Sequence, residues 1–416
     1  MRGRVIQLIR SGFRYFMIIV SVCGMAAATI GLITNIAGLF FTPVAEEFSV
    51  LRGSVSMTVT ICNIVMAIGG IATSKLLTEK TLRPMIILAG FVSAGATALL
   101  GITSGIVSMY ILNALRGFAG GMLSFVFITV IVNNWFRKNV ALITSIALGC
   151  SGIAGALFSP IVSGIIDSLG WRSGYFAVGG IMLLLFLPSM FFIPCIDPHT
   201  RSFTAYGEEE KTSRTSVLKE AGIPAEKKAD ILLFIMCVTY TIFINILTAL
   251  PQHFPGVAES YGVNSSTGVT MLSFSMIANS AGKIMLGALI DRIGTRKAVS
   301  IFSVFVAAGT ALLFIRQDMI MITGAVLFGL VYSLAAVAPV ELTKDSFGLE
   351  LYTKTYPVIS MTGTISNAVF SAAVGFINDM THGYNEVLMM MGAGILGAFM
   401  MVLFMYRRIS HKKVIS

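Results

Sequence analysis

The chain has 416 residues, of which 56% are hydrophobic and only 12% are charged, and its mean hydropathy is +0.88. A soluble globular protein with so few charged residues could not cover its surface with polar groups, so the composition excludes that class. The formal net charge of +10 does not indicate a nucleic-acid partner, because the basic residues lie in short loops between apolar segments.

Twelve apolar segments follow one another along the chain, each long enough to cross a bilayer as a helix. A polar stretch at 197–229 divides them, so we predict six helices in 1–196, a linker, and six helices in 230–416. The linker composition favours one short surface helix around 217–221. The predicted helices are 15–42, 53–77, 84–103, 105–133, 140–163, 173–195, 230–250, 264–289, 298–315, 319–340, 355–377 and 386–406.

The first apolar segment follows four arginines and could be mistaken for a secretory signal peptide. It runs from about Tyr15 to Thr42, which is longer than the apolar core of such a peptide, and it lacks a persuasive cleavage site. We therefore interpret it as the first membrane helix.

The basic residues are distributed unequally between the two sides of the predicted helices. Only Arg52, Arg172 and Arg316 fall on one side, Arg116 and Lys283 lie within helices, and all other Lys and Arg residues fall on the side of the two termini. Because cytoplasmic loops carry the excess of basic residues, both termini are expected in the cytoplasm. The sequence predicts a multi-pass protein of the inner or plasma membrane.

Short sequences recur between the two halves at a nearly constant spacing. VAEEFSV at 44–50 follows helix 1 and returns after helix 7 as VAESYGV at 257–263, and the segment at 164–170 returns loosely at 375–383. A tandem repeat of this kind predicts two six-helix bundles related by an axis along the membrane normal. We expect the cavity between them to carry the function.

The loop after helix 8 has a distinctive sequence, GALIDRIGTRK at 287–297. It resembles the GxLxDRxGxRR loop of the major facilitator superfamily, and RGFAG at 116–120 resembles the helix-4 arginine motif of the same family. The resemblance implies an all-α membrane fold of twelve helices that transports solute by alternating access. It also implies a latch between the bundles, formed by Asp291, Arg292 and Arg296.

Other segments resemble one branch of that family, the monocarboxylate transporters and oxalate/formate exchangers. They are 41–48, 135–137 and 347–352. That branch carries anions on a helix-8 arginine, and this chain keeps the surrounding spacing with Lys283 at that position. The resemblance implies that Lys283 binds an anionic solute.

Two positions depart from this branch. Asn279 stands where monocarboxylate transporters have an aspartate, and Thr362 stands where our alignment places the helix-11 lysine of oxalate exchangers. Neither proton coupling through an acid–base pair nor dicarboxylate binding is therefore implied.

Lys283 and Arg116 are cations within predicted helices, and no acidic residue lies in the interior of any predicted span, since Asp230 and Glu386 stand at the first position of theirs. Charges at that depth are costly, so they usually face a cavity or a partner. Two intramembrane cations without an anion favour a small organic anion as the solute, such as a monocarboxylate. Alternatively, Lys283 reaches toward the membrane interface and Arg116 is held by helix-end carbonyls.

Several polar residues on apolar helices are further candidates for substrate contact. Asn35 and Asn245 lie on the first helix of each half, which lines the cavity in the family that the chain resembles. The alternative is that such amides bond neighbouring helices to each other. The whole set of candidate binding residues is Lys283, Arg116, Asn279, Asn35, Asn245, Tyr332, Asn367 and Thr362.

The sequence contains no metalloprotease, nucleotide-binding or Ser/His/Asp signature, so we expect neither an enzyme nor a cofactor. The five scattered cysteines are expected to pack as small apolar residues. Solute or ion gradients must then drive transport, and a coupling ion or counter-solute stays open. We expect a monomer in the bilayer, with multidrug efflux and a transporter-like solute sensor as alternative functions.

Overall fold

The computed structural model describes residues 2–201, 203–208 and 230–415. The short surface helix expected around 217–221 lies outside the described residues. Within them the chain is almost entirely helical, apart from loops and one isolated β-bridge between Phe136 and Tyr206. Helices suit a lipid environment because they satisfy their backbone hydrogen bonds internally.

In the described part of the chain, eleven continuous helical stretches are long and apolar enough to cross a membrane. The longest, Leu142–Phe192, is broken at Gly170, where φ is +82°, a conformation that glycine adopts without strain. Division at this glycine gives α5 and α6, so twelve helices cross the membrane as predicted. They are α1 Gly12–Phe48, α2 Arg52–Leu76, α3 Leu82–Ile102, α4 Ile106–Trp135, α5 142–169, α6 171–192, α7 Ile231–Ser260, α8 Ser266–Ile293, α9 Thr295–Leu312, α10 Asp318–Gly348, α11 Thr355–Thr381 and α12 Asn385–Ser410.

Several helices extend beyond their predicted ends, and α7 continues past residue 250 to Ser260. Helix α5 continues past residue 163, and α10 continues past residue 340 to Gly348. The extension of α10 contains charged residues that would stop a hydropathy-based prediction. Glu341 and Lys344 form an ion pair of 2.8 Å with each other, and the Tyr406 hydroxyl donates to Asp345. Paired charges allow the helix to continue.

The first helix of each half is irregular. Helix α1 contains a π-helical segment, Ala27–Asn35, and a 3₁₀ turn, Ala37–Phe40, and α7 contains a 3₁₀ turn, Leu250–His253. The two 3₁₀ turns meet at Gly38, where a Cβ atom would lie 1.6 Å from the Gln252 carbonyl oxygen. Only glycine permits this approach, so the crossing of α1 and α7 depends on Gly38.

Each half of the chain has its own hydrophobic core. The first comprises buried residues between Ile18 and Ile193 together with Cys195, Val269, Leu272 and Met276, and the second comprises buried residues between Leu233 and Met405. Large apolar side chains also remain exposed on the outer surface, as expected of lipid-facing helices. Two six-helix bundles thus confirm the predicted all-α membrane fold.

The even number of spans in each half places both chain ends and the linker on one side. We call this side the terminal face; it carries the N-cap of α7, Asp230, which forms an ion pair of 2.9 Å with Arg408 of α12. We call the other side the opposite face; it carries the start of α2 and the end of α11.

Candidate substrate site between the bundles

Helices α5 and α8 bring the two bundles together near the middle of the molecule. The Ser280 hydroxyl of α8 donates to the Gly149 carbonyl oxygen of α5 at 2.9 Å. A Cβ atom at Gly152 would lie 2.2 Å from the Ser280 oxygen, so the helices touch closely here. Among the described residues, no hydrogen bond between the bundles lies nearer the terminal face than this one.

Lys283 lies immediately beyond that contact. It follows Ser280 by three residues, which places it about 4.5 Å further along α8 toward the terminal face. Its side chain is half-buried, and it forms no hydrogen bond or ion pair with any residue that the structure describes. An ammonium group at this depth without a partner in the described chain can bind a carboxylate.

Asn279 lies one turn before Lys283, on the same face of α8. It is 3% exposed, its amide nitrogen contacts only the Met276 sulfur at 4.0 Å, and its amide oxygen is buried without a partner. The amide nitrogen also lies 3.4 Å from the Cβ position of Gly152 in α5. This face of α8, with Asn279 and Lys283, is therefore directed toward the N-terminal bundle.

Helix α10 adds two hydroxyl groups at the same level. A Cβ atom at Gly282 would lie 2.3 Å from the Ser333 oxygen, so the residues beside Lys283 and beside Tyr332 are in contact. The hydroxyls of Tyr332 and Ser333 are both buried without hydrogen-bond partners in the described chain. Tyr332 packs against both hydrophobic cores. Sequence analysis identified Tyr332 but not Ser333, because serines are too common on these helices to stand out.

Unpartnered polar groups are costly in a protein interior, at about 1–3 kcal/mol each. The ammonium group of Lys283, the amide oxygen of Asn279 and the hydroxyls of Tyr332 and Ser333 are therefore candidates for contact with a polar solute. We call the group of Asn279, Lys283, Tyr332 and Ser333 the α8–α10 cluster.

Arg116 has a different environment. It is 3% exposed and lies inside the N-terminal bundle, with its guanidinium near the Cys62 thiol and the side chain of Tyr175. Its backbone carbonyl accepts from Ser93 at 3.4 Å, and its Nε atom is buried without a partner. The contacts described for Arg116 do not include the α8–α10 cluster, so the structure does not bring the two predicted cations together.

Two of the predicted asparagines join helices within one bundle. The Asn35 amide donates to the Ser151 carbonyl oxygen of α5 at 3.1 Å, and the Asn367 amide of α11 donates to the Thr248 hydroxyl at 2.7 Å. These bonds match the alternative role of interhelical contact in this conformation.

Asn245 and Thr362 bond to their own helices. The Asn245 amide donates to the Thr241 carbonyl oxygen at 2.9 Å, and the Thr362 hydroxyl donates to the Ile359 carbonyl oxygen at 2.7 Å. Asn245 also lies against α11, because its amide nitrogen is 2.6 Å from the Cβ position of Gly363. Neither side chain contacts the α8–α10 cluster in the described hydrogen bonds.

The predicted latch residues lie at the terminal face. Asp291, Arg292 and Arg296 are all exposed, and none of them forms an ion pair within the part of the chain that the structure describes. In this conformation the terminal ends of the bundles are therefore not held together by these charges.

The corresponding loop of the first half, between α2 and α3, uses its acidic residue within one bundle. The Glu79 carboxylate accepts from the backbone N–H groups of Ile196 and Asp197, at 3.0 and 2.8 Å. This contact ties the α2–α3 loop to the end of α6 and does not involve the C-terminal bundle.

Comparison with known proteins identifies the family to which the chain belongs. The family model described as Major Facilitator Superfamily matches residues 21–315 and 231–415. Monocarboxylate transporter 3 of Gallus gallus is 23% identical over 148 residues, which cover 35% of this chain and 27% of that protein. The uncharacterized MFS-type transporter YhjX of Escherichia coli (strain K12) is 25% identical over 237 residues, 54% of each chain. The alignments thus span about a quarter and about half of the lengths of these relatives.

Solved structures show the same fold at low identity. A mutant of the nucleoside transporter NupG superposes with a TM-score of 0.68 at 12% identity, covering 94% of this chain and 99% of that one. A D-xylose-proton symporter superposes with a TM-score of 0.67 at 14% identity, covering 95% and 97%. With the family match over most of the sequence, the chain belongs to the Major Facilitator Superfamily and is a multi-pass membrane protein.

Proposed function

We propose that this transporter carries a small organic anion, such as a monocarboxylate, and that Lys283 binds its carboxylate. The observation that carries the proposal is an ammonium group at membrane depth with no ion-pair partner in the described chain. A charge at the membrane centre costs about 2.5–3.5 kcal/mol on insertion scales. A bound carboxylate would offset much of that cost, so Lys283 favours an anion over a neutral solute.

The rest of the α8–α10 cluster supports a solute with a second polar group. The Asn279 amide oxygen can only accept a hydrogen bond, whereas the Tyr332 and Ser333 hydroxyls can donate or accept. These groups would orient the solute once Lys283 holds its charge. Arg116 lies too deep in the N-terminal bundle in this conformation to share that role, and it would have to become exposed during the cycle.

Alternating access follows from the position of the cluster. It lies just past the last hydrogen bond between the bundles, on the side of the terminal face. The basic loops support an orientation in which the terminal face is cytoplasmic, in the inner or plasma membrane. In that orientation this conformation is inward-facing, and rocking of the bundles would present the same cluster to the outside. Exchange with a counter-solute or coupling to an ion would then set the direction of flow.

Uptake into proteoliposomes tests the proposal. The purified protein would be offered radiolabelled acetate, lactate, pyruvate and oxalate, with D-xylose and uridine as neutral comparisons and empty liposomes as the control. We expect saturable uptake of at least one acid that other acids inhibit, and no uptake of the neutral solutes. Saturable uptake of a neutral solute that none of the acids inhibits would contradict the proposal.

A further inference from the structure

Helix α2 begins at the opposite face without a capping side chain of its own. Its N-cap residue is Leu51, which cannot accept a hydrogen bond through its side chain. The Asp379 carboxylate, at the end of α11, instead accepts from the backbone N–H groups of Arg52 at 3.2 Å and Gly53 at 2.6 Å. The first N–H groups of a helix need acceptors and favour negative charge. The cap of α2 is thus supplied by the other bundle.

The Arg52 side chain forms a second connection at the same place. Its Nη1 atom donates to the Thr42 hydroxyl at 2.7 Å and lies 3.7 Å from the Glu259 carboxylate, and the Thr42 hydroxyl also bonds to Glu259 at 3.1 Å. The Arg52 side chain is 10% exposed, whereas the Glu259 side chain is 52% exposed, so water screens this ion pair from the Glu259 side.

An aromatic ring covers the Arg52 guanidinium. The ring of Tyr384 lies 5.9 Å from it, within cation–π distance. Burial raises the pKa of Tyr384 to about 12, so the ring stays neutral at physiological pH.

Hydrogen bonds continue the contact between α2 and α11 inward. The Ser56 hydroxyl donates to the Ala372 carbonyl oxygen at 3.4 Å, and the Thr60 hydroxyl donates to the Ala368 carbonyl oxygen at 2.5 Å. Ser56 is fully buried and Thr60 is 7% exposed. The opposite face is therefore closed for more than two turns of α2 beneath the Asp379 cap.

We propose that Asp379, with the Arg52–Glu259 pair, is a lock that holds the opposite face closed while the terminal face is open. Opening of this face must separate α2 from α11 and therefore leaves the first N–H groups of α2 without the Asp379 carboxylate. The backbone donors are the same for any side chain at positions 52 and 53, so the lock depends chiefly on the charge of Asp379. Its loss would shift the equilibrium toward the conformation that is open at the opposite face.

Hydrogen exchange with mass spectrometry tests the lock on the detergent-solubilised full chain, without any substrate. In Asp379→Asn we expect faster exchange in the peptides that contain Ser56 and Ala372, by about fivefold or more, and slower exchange around Asp291 at the terminal face. The matched control is Glu386→Gln, because Glu386 is an exposed acid on the same face. We expect that variant to exchange like the wild type.

A lock and a simple helix cap differ in one expected result. Only a lock predicts faster exchange at the opposite face together with slower exchange at the terminal face. Faster exchange limited to residues 51–54, or a pattern equal to the wild type, would refute the lock. If Asp379→Asn does not yield folded protein, Arg52→Ala replaces it, since this variant keeps both backbone donors and loses the Thr42, Glu259 and Tyr384 contacts. It should shift exchange in the same direction by a smaller factor, and no reciprocal shift would refute the proposal. Because no solute is present, failure of this test does not affect the proposal that the protein carries an anion. Failure of the uptake test would likewise not affect the lock.

Discussion

The two ends of the interface between the bundles differ in how their charges are used. At the opposite face, Arg52, Glu259 and Asp379 are joined across the interface by an ion pair and by bonds to a helix terminus. At the terminal face, Asp291 and Arg292 are exposed and form no ion pair in the described chain.

This difference shows what the conformation depends on. The same kind of residue joins the bundles at one end and forms no ion pair in the described chain at the other, so charge content alone does not decide which end is joined. The Ser280–Gly149 bond lies between the two ends and marks where the bundles would pivot as rigid bodies. Lys283 stands next to that pivot, on the side of the terminal face.

The largest expected effect comes from breaking the closed end at the α1–α7 crossing. Gly38→Ala would place a methyl group 1.6 Å from the Gln252 carbonyl oxygen, which is backbone and cannot move aside. We expect the opposite face to stay open and uptake in proteoliposomes to fall by about a hundredfold. Gly180→Ala is the control, because no atom lies within 4 Å of its Cβ position. Wild-type uptake by Gly38→Ala would show that the crossing does not need to close this tightly.

A smaller effect is expected at the pivot. Asn279→Ala removes a buried amide whose oxygen has no partner in the described chain. If that oxygen contacts the solute, its loss should raise the KM for uptake about three- to thirtyfold, as expected for about 0.6–2 kcal/mol. Thermal stability of the variant should stay within a few degrees of the wild type. An unchanged KM would remove Asn279 from the binding site.

The smallest effect is expected at the terminal face, within a single bundle. Glu79→Gln weakens an exposed contact with the backbone of Ile196 and Asp197. Because this carboxylate does not join the two bundles, we expect a loss of about 1 kcal/mol or less in stability and no shift between conformations. Hydrogen exchange should be measured on Glu79→Gln and on Asp379→Asn. The first variant weakens a carboxylate–backbone bond within one bundle, and the second weakens such a bond between the two bundles. A reciprocal shift in Glu79→Gln would mean that the comparison is wrong.

Most of the fold could be predicted from the sequence because lipid imposes a simple pattern. Apolar runs gave all twelve helices, and the 287–297 loop identified the family. Hydropathy failed at the end of α10, where Glu341 and Lys344 neutralise each other inside a helix that continues to Gly348. The irregular turns at Gly38 also carried no signal in hydropathy.

The site was only partly predictable. A charge in an apolar run is conspicuous, so the sequence makes Lys283 a candidate together with Asn279 and Tyr332, and their role in binding stays a prediction. Ser333 became apparent only from its contact with Gly282.

The lock was missed for a related reason. Asp379 and Arg52 are more than 300 residues apart, and no local pattern reports their contact. No local pattern reports the environment of Arg116 either, because it depends on how α2, α4 and α6 pack together.

The most direct test of the central claim compares Lys283→Ala and Lys283→Arg in proteoliposomes, with the acid that the wild type transports best. We expect the alanine variant to lose uptake by at least about tenfold, because a charged hydrogen-bond partner contributes about 1.5–3 kcal/mol, and the arginine variant to keep part of it. Lys297→Ala, an exposed lysine, should transport like the wild type. Since removal of a half-buried charge should not destabilise the bundle, loss of uptake would not reflect unfolding. Near-wild-type uptake by Lys283→Ala would contradict the account.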